Sequence, residues 1–442
     1  MLANKNKIIK MKYLNIFKSK VIFSSFLIFA FTKDAYAYLD PGSGNAIICL
    51  ILSLAGAVLY YLKSVFYRII SIVTGKKISH EKNEKVSIFS EGKNYWLTYK
   101  PIVGELIASK ISFIYYTIDI DDPALLIDNE YMHSRYVGTG DRAFAKVGSL
   151  KTPIMITTTP NIGCPTYPLR RPGKVKKLCH VWHSICDSSC YHLGCLDHYD
   201  VALTVGTWVE DSLRQVERIR ELTPKTVVPV GLPYFDELKK NYDLRISGSA
   251  KRNDKNSAKT ILLAPSWGTK SCLRVYGTDF IKEALKEGYN IIYRPHPQSL
   301  KVEMDFVNNV ISDFKEYKGF SFDHDPDATE SMMKSDMMIS DKSGVRFDYA
   351  FIYEKPVLSL DFSTDLINDY EAILLGRLWG DTESELIGIR LLPENRNMIM
   401  ESVKKTLQFS GKEIKNFREK VLCNYGCSSE HIVDWIKNEI QP

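Results

Sequence analysis

From about residue 85 onward, short apolar runs alternate with stretches of helical periodicity, and this alternation constrains the fold more than any other feature of the chain. The runs are rich in Val, Ile, Leu, Tyr and Thr, as buried strands are. Strands that alternate with helices build parallel sheets covered on both faces. The predicted strands are 111–120, 152–158, 177–182, 201–205 and 226–230, followed by 260–264, 290–293, 336–339 and 356–360.

These strands fall into two series separated by a polar segment, which indicates two domains of Rossmann-like α/β structure. A chain of 442 residues is long enough for two such cores and for further segments at its ends. We predict a first domain over 85–240, a linker over 241–259, a second domain over 260–395 and a helical return over 396–442. The predicted helices are 207–222, with Thr207 as N-cap and Glu210 completing a capping box, and 278–287, 300–313 and 343–353.

The N-terminus has the composition of a membrane-targeting region. Residues 1–20 contain six Lys and no acidic residue, an apolar run follows, and Ala35-Tyr36-Ala37 has the form of a signal cleavage site. A second apolar run, 46–62, is near the lower length limit of a transmembrane helix. We predict a signal-peptide-like segment over 1–37 and a transmembrane anchor with its juxtamembrane segment over 38–84. The positive-inside rule then places the catalytic region on the cytoplasmic side of a bacterial inner membrane, whether or not the signal is cleaved.

Charge and cysteine content narrow the classes of partner. The net charge is only +6, and much of the basic excess precedes residue 85, so we attribute it to membrane topology and predict no nucleic-acid partner. The nine Cys form no paired framework, and disulfides are not expected in the cytoplasm. Four Cys and four His between residues 179 and 198 invite a zinc interpretation, but they match no standard zinc spacing. We favour free thiols there and assign no metal ligand, while the metal requirement stays open.

Arg294 and His296 follow the predicted strand 290–293, and each precedes a proline. Because proline fixes its own φ and disfavours helix in the preceding residue, we expect a rigid, extended strand end. The carboxyl ends of parallel strands are where open α/β sheets bind ligands. The guanidinium of Arg294 can bind a phosphate through two hydrogen bonds, although pairing with a buried carboxylate is an equally good use of it. A protonated His296 can neutralise a diphosphate or protonate a departing phosphate.

A second polar string ends the predicted strand 336–339 and opens the helix 343–353. Hydroxyl residues at a helix N-terminus present side-chain and backbone donors to an anion, assisted by the helix dipole. Ordinary N-capping by Ser343 is the alternative, and it explains one residue of the string. The residues that we predict to bind the phosphates of a donor are Arg294, Ser340, Asp341, Ser343, Gly344 and Ser266.

His183 follows the predicted strand 177–182 of the first domain. An unperturbed imidazole pKa near ~6.5 allows it to accept a proton at physiological pH. A core histidine satisfied by hydrogen bonds is the structural alternative, and His180 is the other candidate base, although strand alternation favours His183. Asp187 follows in the next loop, where it either orients His183 or, as we favour, caps a helix. Asp348, on the helix 343–353, is assigned a supporting role with Asp187.

Together these segments resemble the CDP-glycerol glycerophosphotransferase family, the teichoic-acid-type polyol-phosphate transferases, over residues 150–375. Trp182-His183-Ser184 is similar to the family's Trp-His-Gly, and Arg294-Pro295-His296-Pro297 to its Arg-x-His-Pro. Ser340 to Tyr349 is similar to Ser-Asp-x-Ser-Ser-x-x-Phe-Asp-Tyr. Shorter similarities lie at Ala264-Pro265-Ser266-Trp267 and at Gly231 to Asp236. The chain departs from the family at Ser184 and Gly344, where the family has Gly and Ser.

The resemblance implies a GT-B-like fold, in which two Rossmann-like domains face a central cleft, here preceded by the N-terminal membrane anchor. It implies that His183 is the base that activates an acceptor hydroxyl, and that His296 assists at the donor. The expected donor is CDP-glycerol or a similar CDP-activated polyol, with no tightly bound cofactor. The expected reaction moves glycerol phosphate, or a related polyol phosphate, to a lipid-linked saccharide or surface polymer and releases CMP.

Two other functions remain compatible with the sequence. The first is a GT-B glycosyltransferase or epimerase that uses a nucleotide sugar. The second is an inactive membrane scaffold of the same fold, which the departures at Ser184 and Gly344 motivate. Use of a UDP-sugar alone would favour the first, whereas turnover that is lost on His183→Ala would exclude the second.

Overall fold

The computed structural model describes residues 84–248, 258–362 and 370–441, and these residues contain two parallel β-sheets flanked by helices. The first sheet consists of β1 (Val86–Ser90), β2 (Phe113–Thr117), β3 (Met132–Tyr136), β4 (Lys151–Thr157), β5 (Lys174–Val181), β6 (Val201–Thr204) and β7 (Thr226–Pro229). Its strand order is β3-β2-β1-β4-β5-β6-β7, and all its pairings are parallel.

The second sheet repeats this winding with one strand fewer. Its strands are β8 (Thr260–Leu263), β9 (Asn290–Tyr293), β10 (Phe320–Phe322), β11 (Met337–Ser340), β12 (Val357–Leu360) and β13 (Gly388–Leu391). The order is β10-β9-β8-β11-β12-β13, again with parallel pairing throughout. The predicted α/β class with two parallel sheets is therefore confirmed.

Helices connect the strands, as parallel pairing requires. In the first half they are α1 (Trp96–Ala108), α2 (Gly140–Gly148), α3 (Val209–Ile219) and α4 (Pro233–Gly248). In the second half they are α5 (Cys272–Tyr276), α6 (Asp279–Lys286), α7 (Ser299–Val302), α8 (Met304–Phe314), α9 (Thr329–Lys334), α10 (Val345–Tyr353), α11 (Ala372–Leu375) and α12 (Trp379–Glu383). The C-terminal helices are α13 (Ile399–Thr406), α14 (Gly411–Val421) and α15 (Ser428–Ile440).

The central strands are buried along their whole length. Every residue of β1, β2, β6, β8, β11 and β12 is buried, which is the pattern of a sheet covered on both faces. The C-terminal helix α15 contributes to this cover, because Ile432 and Ile436 share a buried cluster with Ile102 of α1. The last helix of the chain thus packs against the first half.

A continuous apolar core joins the two halves. Trp379 stacks on Trp208 from the first half, with ring centroids 4.8 Å apart, and lies 5.0 Å from the ring of Phe347. The connection from β7 passes through Gly231, whose φ is +94°, and a Cβ atom there would lie 2.4 Å from the carbonyl oxygen of Cys423. Only glycine fits this crossing without displacing the C-terminal segment.

The predicted capping box at the start of helix 207–222 is wrong. The helix, α3, begins at Val209 and its N-cap position is Trp208, with no side-chain cap hydrogen bond. The indole Nε1 of Trp208 donates to the carbonyl of Val421 at 2.6 Å, so a tertiary contact sets this turn. Glu210 does not reach back to the cap but pairs with Arg214 at 2.9 Å, one turn along the helix.

Part of the predicted linker 241–259 is helical. Helix α4 continues to Gly248; its first part packs against the core, whereas Leu244 and Ile246 near its end are exposed. Phe235 is fully buried, and Leu238 and Tyr242 pack against the same core at helical spacing. Residues 243–247 of this helix are exposed, and residues 249–257 of the predicted linker lie outside the described residues.

The predicted signal-like segment 1–37 and anchor 38–84 lie outside the described residues, apart from Glu84. Among the residues that the structure does describe, no helix has the length and apolarity needed to cross a bilayer.

Candidate active site

Each sheet has one position where the order of its strands changes direction. The predicted site residues follow strands at or near these two positions. In the first sheet the reversal lies between β1 and β4, and in the second between β8 and β11. Open α/β sheets bind ligands outside the carboxyl ends of the strands at such switch points. His183 lies two residues after β5, which adjoins β4, while Ser266 lies three residues after β8 and Asp341 directly follows β11.

Asp341 organises the carboxyl edge of the second sheet. Its carboxylate accepts hydrogen bonds from the backbone N–H of Ser266 at 3.1 Å, from the Ser266 hydroxyl at 2.9 Å and from the N–H of Cys272 at 2.8 Å. Burial raises the pKa of Asp341, and these donors oppose the rise. The carboxylate therefore holds the loop after β8 against the loop after β11, and it engages the Ser266 hydroxyl in doing so.

The other residues of the polar string divide between structural contacts and an open helix terminus. The Ser340 hydroxyl is buried and donates to the carbonyl of Ala264 at 2.7 Å, so it joins neighbouring strands. Helix α10 begins at Val345 with Gly344 as its N-cap, and no side chain caps it. The alternative that Ser343 simply caps this helix is therefore not observed. A Cβ at Gly344 would meet no atom within 4 Å, so the backbone is accessible there.

Arg294 pairs with a carboxylate, which is one of the two uses that the sequence left open. Its guanidinium lies 2.7 Å from the carboxylate of Asp323, and both side chains are about seven-eighths buried, at 14% and 15% exposure. Asp323 also accepts a hydrogen bond from the Ser331 hydroxyl, and these partners hold its pKa below the usual range despite its burial. The ion pair fixes the orientation of Arg294 beside β9.

A backbone N–H two residues further along the chain fixes the ring of His296. The N–H of Gln298 donates to its Nδ1 at 3.0 Å, so Nε2 is the nitrogen available for a ligand or a proton. Burial lowers the pKa of His296, and the nearby carboxylates of Asp341 and Glu303 oppose this. His296 and Asp341 are thus close enough to influence each other, and the structure brings the residues after β8, β9 and β11 to one edge.

His183 lies in the first half, in a different environment. Its ring packs edge-on against Tyr95, with centroids 5.5 Å apart. Burial lowers its pKa to about 4, and its Nδ1 is buried without a hydrogen-bond partner among the described residues. His180, the other histidine of this strand, is fully buried and bonded through Nε2 to the Tyr191 hydroxyl at 2.9 Å. Of the two, only His183 is partly exposed, so His183 is the one that a ligand at this edge can reach.

The two residues predicted to support the site both make defined contacts. Asp187 accepts a hydrogen bond from the N–H of Ser189 at 2.9 Å and caps the short 3-10 helix Ser188–Cys190, as favoured. Its other oxygen lies 2.7 Å from the guanidinium of Arg377. Asp348 accepts a hydrogen bond from the hydroxyl of Tyr234 in α4, and burial raises its pKa to about 6. Each carboxylate therefore links the first half to the second.

Three partners of these residues were not predicted from the sequence. Asp323 follows the edge strand β10, Arg377 lies in a loop, and Tyr234 stands in the first turn of α4. Asp323 could have been anticipated, because β10 ends beside β9 and an arginine after β9 needs a carboxylate close by. Arg377 pairs across 190 residues, and no spacing rule reaches that far.

The Cys and His cluster of residues 179–198 forms no group of metal ligands. In the described ranges, no three or more His, Cys, Asp or Glu side chains are arranged to hold a metal ion. The cysteines there are free thiols, and burial raises the pKa of Cys179 and Cys195 well above the ordinary value. They pack as small apolar groups.

The fold is similar to solved structures of nucleotide-dependent enzymes with the GT-B architecture. The wall teichoic acid polymerase TagF is 17% identical, with a TM-score of 0.50 over 86% of this chain and 98% of that chain. The UDP-GlcNAc 2-epimerase of Methanocaldococcus jannaschii is 13% identical, with a TM-score of 0.53 over 80% and 99%. That of Neisseria meningitidis is 12% identical, with a TM-score of 0.54 over 80% and 99%. At these identities the likeness concerns the fold alone.

The sequence itself carries the family assignment. A search of curated proteins finds no match. The family described as CDP-Glycerol:Poly(glycerophosphate) glycerophosphotransferase matches residues 196–438, more than half of the 442 residues. The predicted donor-side residues and Asp348 fall inside this match, whereas His183 and Asp187 precede it. The chain therefore belongs to the CDP-glycerol:poly(glycerophosphate) glycerophosphotransferase family, and it is an enzyme of that type.

Proposed function

We propose that this enzyme moves glycerol phosphate, or a related polyol phosphate, from a CDP-activated donor to a hydroxyl of a lipid-linked saccharide or surface polymer. The observation that carries the proposal is the pairing of a neutral imidazole after β5 with a rigid set of phosphate-binding candidates after β8, β9 and β11. Phosphoryl-type transfer needs positioning and charge stabilisation more than covalent chemistry, and such an arrangement supplies both.

In the proposed reaction, the acceptor oxygen attacks the phosphorus that bears the polyol. The hydroxyl proton passes to His183, a new O–P bond forms, and the bond from that phosphorus to the CMP oxygen breaks. With a pKa of about 4, His183 is unprotonated at pH 7 and free to accept the proton. The negative charge of a bound diphosphate raises the basicity of a nearby imidazole, which favours the transfer.

On the donor side, we propose that the start of α10 receives the diphosphate. The helix has no side-chain cap, its N-cap Gly344 is exposed, and its dipole favours an anion. His296 offers Nε2 to the same edge, and Ser343 adds a hydroxyl. Ser340, Ser266 and Asp341 hold the loops in place. Support for a CDP donor also comes from TagF, a variant of which was solved after a soak with CDPG.

We further propose that the segment 38–84 anchors the enzyme to the cytoplasmic membrane with its catalytic region facing the cytoplasm. The basic residues that flank two apolar runs support this topology. Anchoring would keep the enzyme at the bilayer, where a lipid-linked acceptor resides, and so raise the effective acceptor concentration.

The test is CMP release by the detergent-solubilised full chain. The donors are CDP-glycerol, CDP-ribitol and UDP-GlcNAc, with a bacterial membrane extract as acceptor. We expect release from a CDP-polyol that depends on the acceptor and falls about 10²- to 10⁴-fold in His183→Ala, the usual contribution of a general base. Turnover of UDP-GlcNAc alone would instead favour a nucleotide-sugar enzyme, and a folded protein that turns over none of the three would favour an inactive scaffold.

A further inference from the structure

Glu91 occupies the switch point of the first sheet. It is the residue directly after β1, the strand next to β4, and its side chain is half-buried. The reversal of winding at β1 and β4 is the position where this class of sheet binds its ligand. No sequence motif marks Glu91, and it lies outside the segment 196–438 that the family matches.

Tyrosines, not cations, surround the Glu91 carboxylate. The hydroxyl of Tyr167 donates a hydrogen bond to Oε1. Burial raises the pKa of Tyr95 and Tyr199, and the charge of Glu91 contributes to the rise in both. Within the described part of the chain no Lys or Arg forms an ion pair with Glu91. Such a carboxylate would repel a phosphate but can accept hydrogen bonds from uncharged hydroxyls.

Tyr95 connects this carboxylate to the candidate base. Its ring lies against His183 with centroids 5.5 Å apart, and its backbone N–H donates to the carbonyl of Gly92, next to Glu91, at 3.0 Å. The Tyr95 side chain therefore contacts His183 through its ring and feels the charge of Glu91 at its hydroxyl. Glu91 and His183 lie at the same carboxyl edge of the first sheet, although they are 92 residues apart in the sequence.

This edge also holds hydrogen-bonding capacity that the chain leaves unused. The Nδ1 of His183 and the Oγ1 of Thr159, which follows β4, are buried without a partner among the described residues. Most buried polar atoms in proteins are paired, and exceptions concentrate at functional sites. Thr159 and His183 follow β4 and β5, the two strands that come after β1 in the order of the sheet, so both unpartnered atoms belong to the same carboxyl edge as Glu91, and together they favour a site for a hydroxyl-rich ligand.

We propose that Glu91 binds the acceptor, by accepting a hydrogen bond from the hydroxyl adjacent to the one that attacks. The acceptor terminus is then an uncharged vicinal diol, as in a terminal glycerol or other polyol unit. This inference rests on the proposed function, because it assigns the acceptor side of that reaction. Glu91 retains its charge throughout: the proton of the attacking hydroxyl goes to His183, and Glu91 only fixes which oxygen faces the phosphorus.

The decisive experiment compares two synthetic soluble acceptors with the full-length enzyme. One ends in glycerol linked through a phosphodiester, and the other ends in propane-1,3-diol, which keeps the attacking primary hydroxyl but lacks the neighbouring secondary one. We expect the wild-type kcat/KM to be about 10- to 100-fold lower for the propanediol probe, the usual range for one hydrogen bond to a charged group. In Glu91→Gln the glycerol probe should become as poor as the propanediol probe, while CDP affinity stays unchanged.

Glu105→Gln is the matched control. Glu105 is another half-buried glutamate of the first half, and it also accepts one hydroxyl hydrogen bond, from Ser109 at 3.1 Å. This variant should keep the full preference for the glycerol probe. If Glu91→Gln and Glu105→Gln behave alike, or if Glu91→Gln still prefers the glycerol probe, the proposal is overturned.

A binding measurement separates this proposal from the assignment of the donor. Ligand-observed NMR can follow the two probes with wild-type enzyme and with Glu91→Gln in the absence of any donor. Selective binding of the glycerol probe that disappears in Glu91→Gln would support the diol site even if CDP-glycerol proves not to be the donor. Equal binding of both probes by the wild type would overturn it, whatever the donor.

Discussion

The carboxyl edges of the two sheets share a topology but differ in how the candidate site residues on each edge are hydrogen-bonded, although the second half also has buried atoms without partners among the described residues, Nε of Arg346 and Oγ of Ser359. On the second edge, Asp341 accepts hydrogen bonds from Ser266 and Cys272, and Arg294 is locked to Asp323. On the first edge, His183 and Thr159 keep buried atoms without partners in the described part of the chain. A satisfied network rigidifies a site before its ligand arrives, whereas unused capacity leaves the final contacts to the ligand. The difference suits one edge that holds a fixed donor and another that selects an acceptor.

The variant with the largest expected effect on stability removes the carboxylate of Asp341 from the second edge. Asp341→Ala leaves the N–H groups of Ser266 and Cys272 without their acceptor, and we expect the free energy of unfolding to fall by about 3 kcal/mol. Thr159→Val on the first edge removes a hydroxyl that has no partner among the described residues, so its unfolding free energy should change by less than about 1 kcal/mol. Urea denaturation of both variants gives the two values. Equal losses would mean that the edges are satisfied to the same degree.

A second test asks whether Arg294 serves the donor or only its ion pair. Arg294→Met should lower the unfolding free energy by about 3 kcal/mol, because it leaves the mostly buried Asp323 unpaired. The double variant Arg294→Met/Asp323→Leu should recover much of that stability. If Arg294 also binds the donor diphosphate, the CDP affinity measured by calorimetry should be about 10-fold weaker than that of the wild type in both variants. Recovery of affinity together with stability would restrict Arg294 to a structural role.

The smallest expected effect concerns how the free energy of unfolding depends on pH, to which His183 and Asp348 contribute in opposite directions. Burial lowers the pKa of His183 to about 4 in the folded protein, while the unfolded imidazole titrates near ~6.5. Between these values the unfolded state binds more protons, so His183 makes the protein less stable as pH falls from about 6.5 to about 4. Asp348 acts in the opposite direction, because its folded pKa is raised to about 6 and its contribution is lost as pH rises through that value.

Chemical denaturation at several pH values resolves the two groups. His183→Gln should flatten the loss of stability below about pH 6.5 relative to the wild type, whereas Asp348→Asn should steepen it. His431→Gln, which changes an exposed histidine of α15, is the matched control and should leave the profile unchanged. An unaltered profile in His183→Gln would place its folded pKa near the ordinary value.

The central strands other than β1 were predictable from the sequence, as was the edge strand β7, whereas the other three edge strands were not. Continuous apolar runs predicted β2, β4 to β9, β11 and β12. Strands β3, β10 and β13 have no counterpart in that prediction, and each lies at the border of its sheet. Border strands pair on one side only and carry polar or small residues, as in Met132–Tyr136 and Gly388–Leu391. Strand β1 is central, but serines at positions 87 and 90 interrupt its apolar run.

The site residues on the two carboxyl edges also differed in how far the sequence predicted them. Residues on the second edge cluster in short strings, such as Ser340 to Gly344, because one loop supplies several of them. Glu91, Tyr95 and Tyr167 come from separate positions in two loops, and no spacing relates them. Site residues that come from one loop are close together in the sequence and form a motif. Site residues that neighbouring strands bring together are far apart in the sequence and are recognised only in the structure.

The contacts of Asp187 and Ser189 have a mechanical consequence for the base. Arg377 holds Asp187 at 2.7 Å, and the N–H of Trp379 donates to the Ser189 hydroxyl at 3.0 Å, so second-half residues grip the loop that follows His183. If the sheets rotate against each other, this loop must travel with the second sheet or release both contacts. His183 is thus linked through its loop to the second half at one end and to its own strand at the other. A rotation of the second half would therefore pull on the backbone of His183.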